Sequence, residues 1–291
     1  VFIVLVVLST LLHFNLSALK WRVVTTQISP EIINSVSPMF YLFYTSLGAL
    51  FGQFIPLHIS TMITRGIGLR LHQKEHLKRG LVSSVYEQGF DVLIPLILAI
   101  ASILKLLKIV DLGGWLVIAA ISLGFLWLVA VTSTVRMLNL LANVLDRIKL
   151  QLKPINSLRT LVHQIQDTEL LDNRLMTKIF LLAVIRYANL TLRAMLVALA
   201  VTLDIDVQHV LFVMPLVQIS MLIPLTPGNL GVVEWTWTGI LTGLGSTVAS
   251  ATVFGLGHRL LILMSVIFTN LAIGAVYLGS NFLTREDGIN K

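Results

Sequence analysis

The sequence predicts an all-α integral membrane protein of about eight transmembrane helices, two of its segments broken by proline and glycine into re-entrant-like repeats. Three observations predict it. Hydrophobic residues make up 56% of the chain and charged residues 12%, with a mean hydropathy of +0.89, too apolar for a water-soluble globular domain. Apolar windows long enough to cross about 30 Å of hydrocarbon recur along most of its length. Finally, "LIPLTPGNLGVVEW" at 222–235 places prolines, glycines and a glutamate inside an otherwise apolar run, where a helix loses donors and propensity and a carboxylate is costly.

The first window is the opening run "VFIVLVVLSTLL". It starts at Val1 without an initiator Met, so the first span is expected to be truncated. Further windows lie near 38–57, 90–110, 112–133, 179–203, 207–225, 230–250 and 253–279. All belong to one polytopic domain over 1–291, with a first broken repeat at about 38–111 and a second at about 207–279. Residues 58–89 are too charged to span ("RGIGLRLHQKEHLKRG"). Residues 134–178 read as an amphipathic cytoplasmic segment broken at Pro154, with leucines at helical spacing and bases between them, suited to lying along the interface.

That segment carries Arg136, Arg147, Lys149, Lys153, Arg159, Arg174 and Lys178, whereas "LDID" at 203–206 has two acids and no base. The positive-inside rule places the first inside and the second outside, in a multi-pass chain of the cell membrane. The net charge of +7 is assigned to topogenic loops and anionic lipid headgroups. No aromatic residues interleave the bases, so nucleic acid is not expected as a partner. Cysteine is absent, which removes disulfides, thiolate metal sites and a cysteine nucleophile. No Walker motif, Rossmann fingerprint or G-x-S-x-G occurs, so neither a nucleotide nor any other cofactor is expected.

An internal repeat is visible at an offset of 168 residues, which aligns Ile55-Pro56-Leu57 with Ile223-Pro224-Leu225 and sets Asp91 opposite Arg259. Paired Gly/Pro-interrupted apolar segments in corresponding halves point to a midplane substrate site in repeat-built transporters. Broken helices expose backbone polar groups and half-helix dipoles, tolerated only where they are buried in protein or line a cavity.

The stretches "PLTPGNLGVVEW", "PLHISTMITRG" and "VYEQGFDVL" together resemble the flippase-like family typified by the membrane domain of lysylphosphatidylglycerol synthase. A P-x-T-P-G-x-x-G-x-x-E signature is intact as Pro224, Thr226, Pro227, Gly228, Gly231 and Glu234, and Arg65 occupies an early Arg position. An E-R-x-x-D motif is altered: Glu87 and Asp91 match, Gln88 replaces the Arg, and His58, Ile59 and Ser60 stand where glycines are usual. The soluble aminoacyl-transfer domain of the lysyl-transferring members has no counterpart here. The resemblance implies movement of a lipid or lipid-linked headgroup between leaflets.

The candidate substrate-binding residues are therefore Arg65, Glu87, Asp91, Thr226, Pro227, Gly228, Gly231, Glu234 and Arg259, together with Arg186, Asn189 and Arg193. The last three lie at i, i+3 and i+7 and put two guanidiniums and an amide on one face of an apolar helix. Arg forks match phosphate bidentately; the structural alternatives are snorkelling of Arg186, an Arg193–Glu234 pair, an Asp91–Arg259 pair between the repeats, Glu234 as a helix N-terminal carboxylate satisfied by the amides after the Gly231 break, and Arg65 as an interface anchor. His72-Gln73-Lys74-Glu75-His76 matches the H-x-x-E-H zinc pattern, but the surrounding lysines and arginines disfavour a cation and no third ligand is evident,. No metal is expected. The expected function is movement of an anionic lipid or lipid-linked headgroup, more transporter than enzyme. The alternatives are a membrane-embedded transferase on a lipid phosphate with Glu234 or Asp91 as base, and a regulatory subunit, which predicts no cavity. Homo-oligomerisation is left open.

Overall fold

Helix is dictated almost everywhere, because in hydrocarbon each backbone N–H and C=O must be satisfied within its own segment. The computed structural model describes residues 1–28, 36–72, 77–147, 173–201, 205–222 and 226–289. Among these are nine α-helices: α1 (Phe2–Ile28), α2 (Pro38–Phe51), α3 (Leu57–His72), α4 (Leu77–Leu106), α5 (Leu112–Arg147), α6 (Asn173–Val201), α7 (Val207–Ser220), α8 (Val232–Gly243) and α9 (Val248–Ile289). A 3₁₀ turn at Pro227–Asn229 precedes α8. Five helices are long and apolar enough to cross a membrane, over Phe2–Gln27, Tyr86–Leu106, Leu112–Thr132, Asn173–Val201 and Val248–Gly279.

The windows at 38–57, 207–225 and 230–250 resolve differently. They hold α2, α7 and α8, of 14, 14 and 12 residues. At about 1.5 Å per residue each covers roughly 20 Å or less, short of a bilayer core. The physical reasons are local. Beyond Gly52 and Pro56 the chain turns back, so residues 57–72, read as too charged to span, form α3, the return arm of a half-length hairpin. Positive φ at Gly228 (59°) and Gly231 (83°) interrupts the second site, and positive φ at Gly245 (102°) ends α8 before α9 begins. Residues 134–147 continue α5 without a break and 173–178 open α6. Residues 148–172, the tripeptide Ile223-Pro224-Leu225 and Gln73–His76 of the zinc-like pattern lie outside the described residues.

The first hairpin closes on glycine. A Cβ on Gly48 would lie 2.6 Å from Thr64 Oγ1, and one on Gly68 2.7 Å from the Tyr44 ring, so α2 and α3 pack antiparallel at a distance only glycine allows. In the second unit Trp237 of α8 meets Phe254 of the long helix α9 edge-on at 4.9 Å, and Gly255 of α9 seats against the α8 backbone at Glu234.

The long helices define the topology. Ser9 of α1 bonds Asn189 of α6 and Thr10 bonds Arg193, while Val24 clusters with Ile179 at the other end, so α1 and α6 are antiparallel. Phe90 of α4 packs on Phe180 of α6, and Asp91 on Arg186, so these two run the same way. Phe14 of α1 packs with Val266 of α9, and Trp21 clusters with Tyr277, so α1 and α9 also run the same way. The result is two four-helix units, α1–α4 and α6–α9, each ordered long, short, short, long and inverted relative to each other. Between them in sequence, α5 packs Trp115, Ala119 and Leu126 against α4 and α6.

Candidate functional site

Polar chemistry concentrates where the two units meet. Glu87 and Asp91 are one turn apart on α4 and share a face. Arg65 of α3 forms an ion pair with Glu87, Lys20 of α1 lies 3.2 Å from Glu87 and 2.7 Å from Asp91, and Arg186 of α6 lies 2.7 Å from Asp91. These five side chains make a buried ladder, Arg65–Glu87–Lys20–Asp91–Arg186, that ties four helices together. The guanidinium of Arg65 also stands 5.0 Å from the Trp21 ring and donates to the Ser17 carbonyl and to Thr45 Oγ1. Gln88, in the position where Arg is usual, brings Oε1 to 2.6 Å from His58 Nδ1.

The second unit holds a smaller arrangement. Gly231 N–H donates to Glu234 Oε2 at 2.8 Å, so the Glu234 carboxylate caps the start of α8,. Arg259 of α9 approaches Glu234 Oε1 at 3.8 Å and donates to the Gly228 carbonyl at 2.8 Å. Around them Thr226 Oγ1 donates to the Leu230 carbonyl at 2.7 Å and Asn229 to the Met221 carbonyl at 3.0 Å. A Cβ on Gly228 would stand 2.0 Å from the Gln53 carbonyl oxygen. The two breaks thus touch backbone to backbone, and a side chain at 228 would separate them.

Beside this contact lies a cavity of about 110 Å³, walled by α1, α2, α3, α6, α7, α8 and α9. Its polar lining is Arg186, Arg193, Arg259, His13, His258, Gln53 and Gln218. A smaller chamber of about 30 Å³ shares His13 and Arg186 and adds Arg65, Glu87 and Asp91. Arg193 donates to Thr10 Oγ1 at 3.3 Å. No carboxylate of the described residues pairs with it.

The sequence-derived candidates therefore divide. Arg65, Glu87, Asp91, Arg186, Arg193 and Arg259 all line one chamber or the other. Asn189 exchanges hydrogen bonds with Ser9 at 3.0 and 2.9 Å and holds α1 to α6. Thr226, Pro227, Gly228, Gly231 and Glu234 frame the break behind Arg259. Two pairings anticipated from the sequence are not formed: Asp91 turns to Lys20 and Arg186 instead of Arg259, and Glu234 turns to Gly231 and Arg259 instead of Arg193. Asp91 is taken by nearer donors on adjacent helices, and Glu234 by the backbone N–H at the start of its own helix. Sequence reasoning missed Lys20, His13, Gln53 and His258. Lys20 did leave a signal, as the first charged residue of the chain, set in the apolar run of α1. Among the described residues no group of three or more His, Cys, Asp or Glu side chains could hold a metal ion.

The family model described as "Lysylphosphatidylglycerol synthase TM region" matches residues 1–269 of the chain. No curated protein and no solved structure matches it.

Proposed function

The chain belongs to the lysylphosphatidylglycerol synthase TM region family of membrane proteins, and from that premise we propose that it moves an anionic lipid or lipid-linked headgroup between leaflets. The supporting observation is the arginine-lined cavity at the junction of two inverted, broken-helix units, with Arg193 lacking a carboxylate partner among the described residues. Inverted repeats with discontinuous helices meeting around a central site are the architecture of alternating-access transporters. Arg186, Arg193 and Arg259 would draw the phosphate into the cavity as bidentate donors, while acyl chains stay in lipid. Rocking of one unit on the other would expose the headgroup to each leaflet in turn.

With the basic 134–178 segment at the cytoplasmic face of the cell membrane, the α2–α3 hairpin enters from that side and the α7–α8 hairpin from the opposite one. A transferase needs a carboxylate free to take a proton. Here Asp91 is flanked by two cations, and Glu234 is occupied by a backbone N–H and Arg259, which favours transport.

The test is dithionite quenching of headgroup-labelled phospholipid in proteoliposomes. Wild-type protein is expected to expose inner-leaflet label, and Arg193→Ala and Glu234→Gln to abolish that exposure while the protein stays folded. Absence of movement with several anionic lipids, together with turnover of a lipid-phosphate donor, would move the assignment to the transferase.

A further inference from the structure

We infer that the cavity is matched to a headgroup carrying two negative charges, a phosphomonoester dianion on a lipid, in preference to the single charge of a phosphodiester. The inference rests on the translocation reading and narrows its substrate. It comes from the charges at the junction of the two units. Among the described residues these are five cations, Lys20, Arg65, Arg186, Arg193 and Arg259, and three carboxylates, Glu87, Asp91 and Glu234. Two positive charges are left over.

Their location can be assigned. Glu234 offsets Arg259, and Glu87 offsets Arg65. Asp91 is shared by Lys20 and Arg186, which leaves one charge in the ladder, and Arg193 supplies the other. Arg186 and Arg193 lie two turns apart on one face of α6 and both line the cavity. Uncompensated charge away from water is expensive, so an occupant bringing two negative charges neutralises the site and one bringing a single charge leaves half the excess.

The donors point the same way. Among the described residues the buried Arg186 Nε–H has no hydrogen-bond partner, nor has His13 Nδ1, a donor in the tautomer that carries its proton there,, and His13 lines both chambers. A phosphomonoester offers three terminal oxygens to such donors, whereas esterification removes one oxygen and one charge together. A cavity of about 110 Å³ holds a phosphate group with a few waters.

Calorimetric titration of the purified protein in detergent tests this with three probes: dihexanoyl phosphatidate, dihexanoyl phosphatidylmethanol and inorganic phosphate. The two lipids differ by one methyl ester, and at about pH 8 the first is a dianion because its second ionisation lies near pH 6. Phosphatidate is expected to bind at least about tenfold more tightly, one added charge-assisted contact. That preference should fall towards unity in Arg193→Gln, persist in Arg193→Lys, and shrink in the wild type as pH is lowered to about 5. Equal affinity for the two lipids, or a preference unchanged in a folded Arg193→Gln protein, overturns the dianion assignment. If Arg193→Gln does not fold, the wild-type ratio and its pH dependence decide alone. Equal affinity alongside intact movement of a phosphodiester lipid in vesicles removes this inference and keeps the translocation reading, whereas binding of neither lipid removes both. Inorganic phosphate binding as tightly as phosphatidate makes the site one for a soluble phosphate and overturns its lipid assignment.

Discussion

The two inverted units carry the same kind of ion pair with the signs exchanged. In the first, the short return helix supplies the cation, Arg65, and the long helix the anion, Glu87. In the second, the short helix supplies the anion, Glu234, and the long helix the cation, Arg259. Their settings differ as well. The Arg65–Glu87 side chains are 1% exposed each and continue into the ladder through Lys20, whereas Arg259 and Glu234 are 18% and 13% exposed and 3.8 Å apart. One pair is a fastening and the other is loosely held beside the cavity. Repeated architecture does not imply repeated duty: the first hairpin is anchored, and the second keeps a cation that can exchange partners.

The largest effect expected from that contrast follows from removing the centre of the fastening. Lys20→Met should leave each of Glu87 and Asp91 with one arginine but cut the link between the two pairs and leave buried carboxylate oxygens without their shared donor, at a cost of about 2–4 kcal/mol, read as a large fall in melting temperature in detergent. A melting temperature near the wild-type value would mean the ladder is no fastening. Next comes Gly228→Ala. Its φ of 59° and the Gln53 carbonyl in its path should cost about 1–3 kcal/mol and raise the protease sensitivity of both hairpins, not the second alone.

A charge exchange sharpens the comparison further. Glu234→Arg with Arg259→Glu should fold and lose roughly 1–2 kcal/mol, much of it from the cap at Gly231. Arg65→Glu with Glu87→Arg should not fold, because the new arginine would face Lys20. Equal tolerance of both exchanges, measured by yield of monodisperse protein, would abolish the distinction. The smallest stability effect is expected of Arg259→Gln, at about 0–1 kcal/mol, with lipid movement in proteoliposomes nonetheless lost.

The sequence made the helical class and the position of both breaks legible because apolar length, proline and glycine act locally. Gly228, Gly231 and Glu234 could be picked out since their chemistry is out of place in an apolar run. The half-length of α2 and α8 was not legible: Pro38–Phe51 and Val232–Gly243 are apolar enough for any span, and composition does not distinguish a chain that turns back at Gly52 or Gly245 from one that continues across. Partners were the least accessible. Which cation meets Asp91 depends on how α1 and α6 pass α4, and α1 carries two basic residues, Lys20 and Arg22, that the sequence does not tell apart. The 168-residue offset brought Asp91 and Arg259 into register as equivalents, and equivalence in an inverted repeat places two residues in matching surroundings without placing them in contact.

The meeting of Gly228 with the Gln53 carbonyl has a bearing on how such a molecule can vary. The point where the halves abut is peptide against peptide, so its fit requires the bare backbone of Gly228 and not a matched pair of side chains. Each hairpin can exchange its neighbours, even reverse its electrical sign as these two have done, and still find its seat. A joint of that kind keeps its mechanical register while the side chains around it differ between the two units.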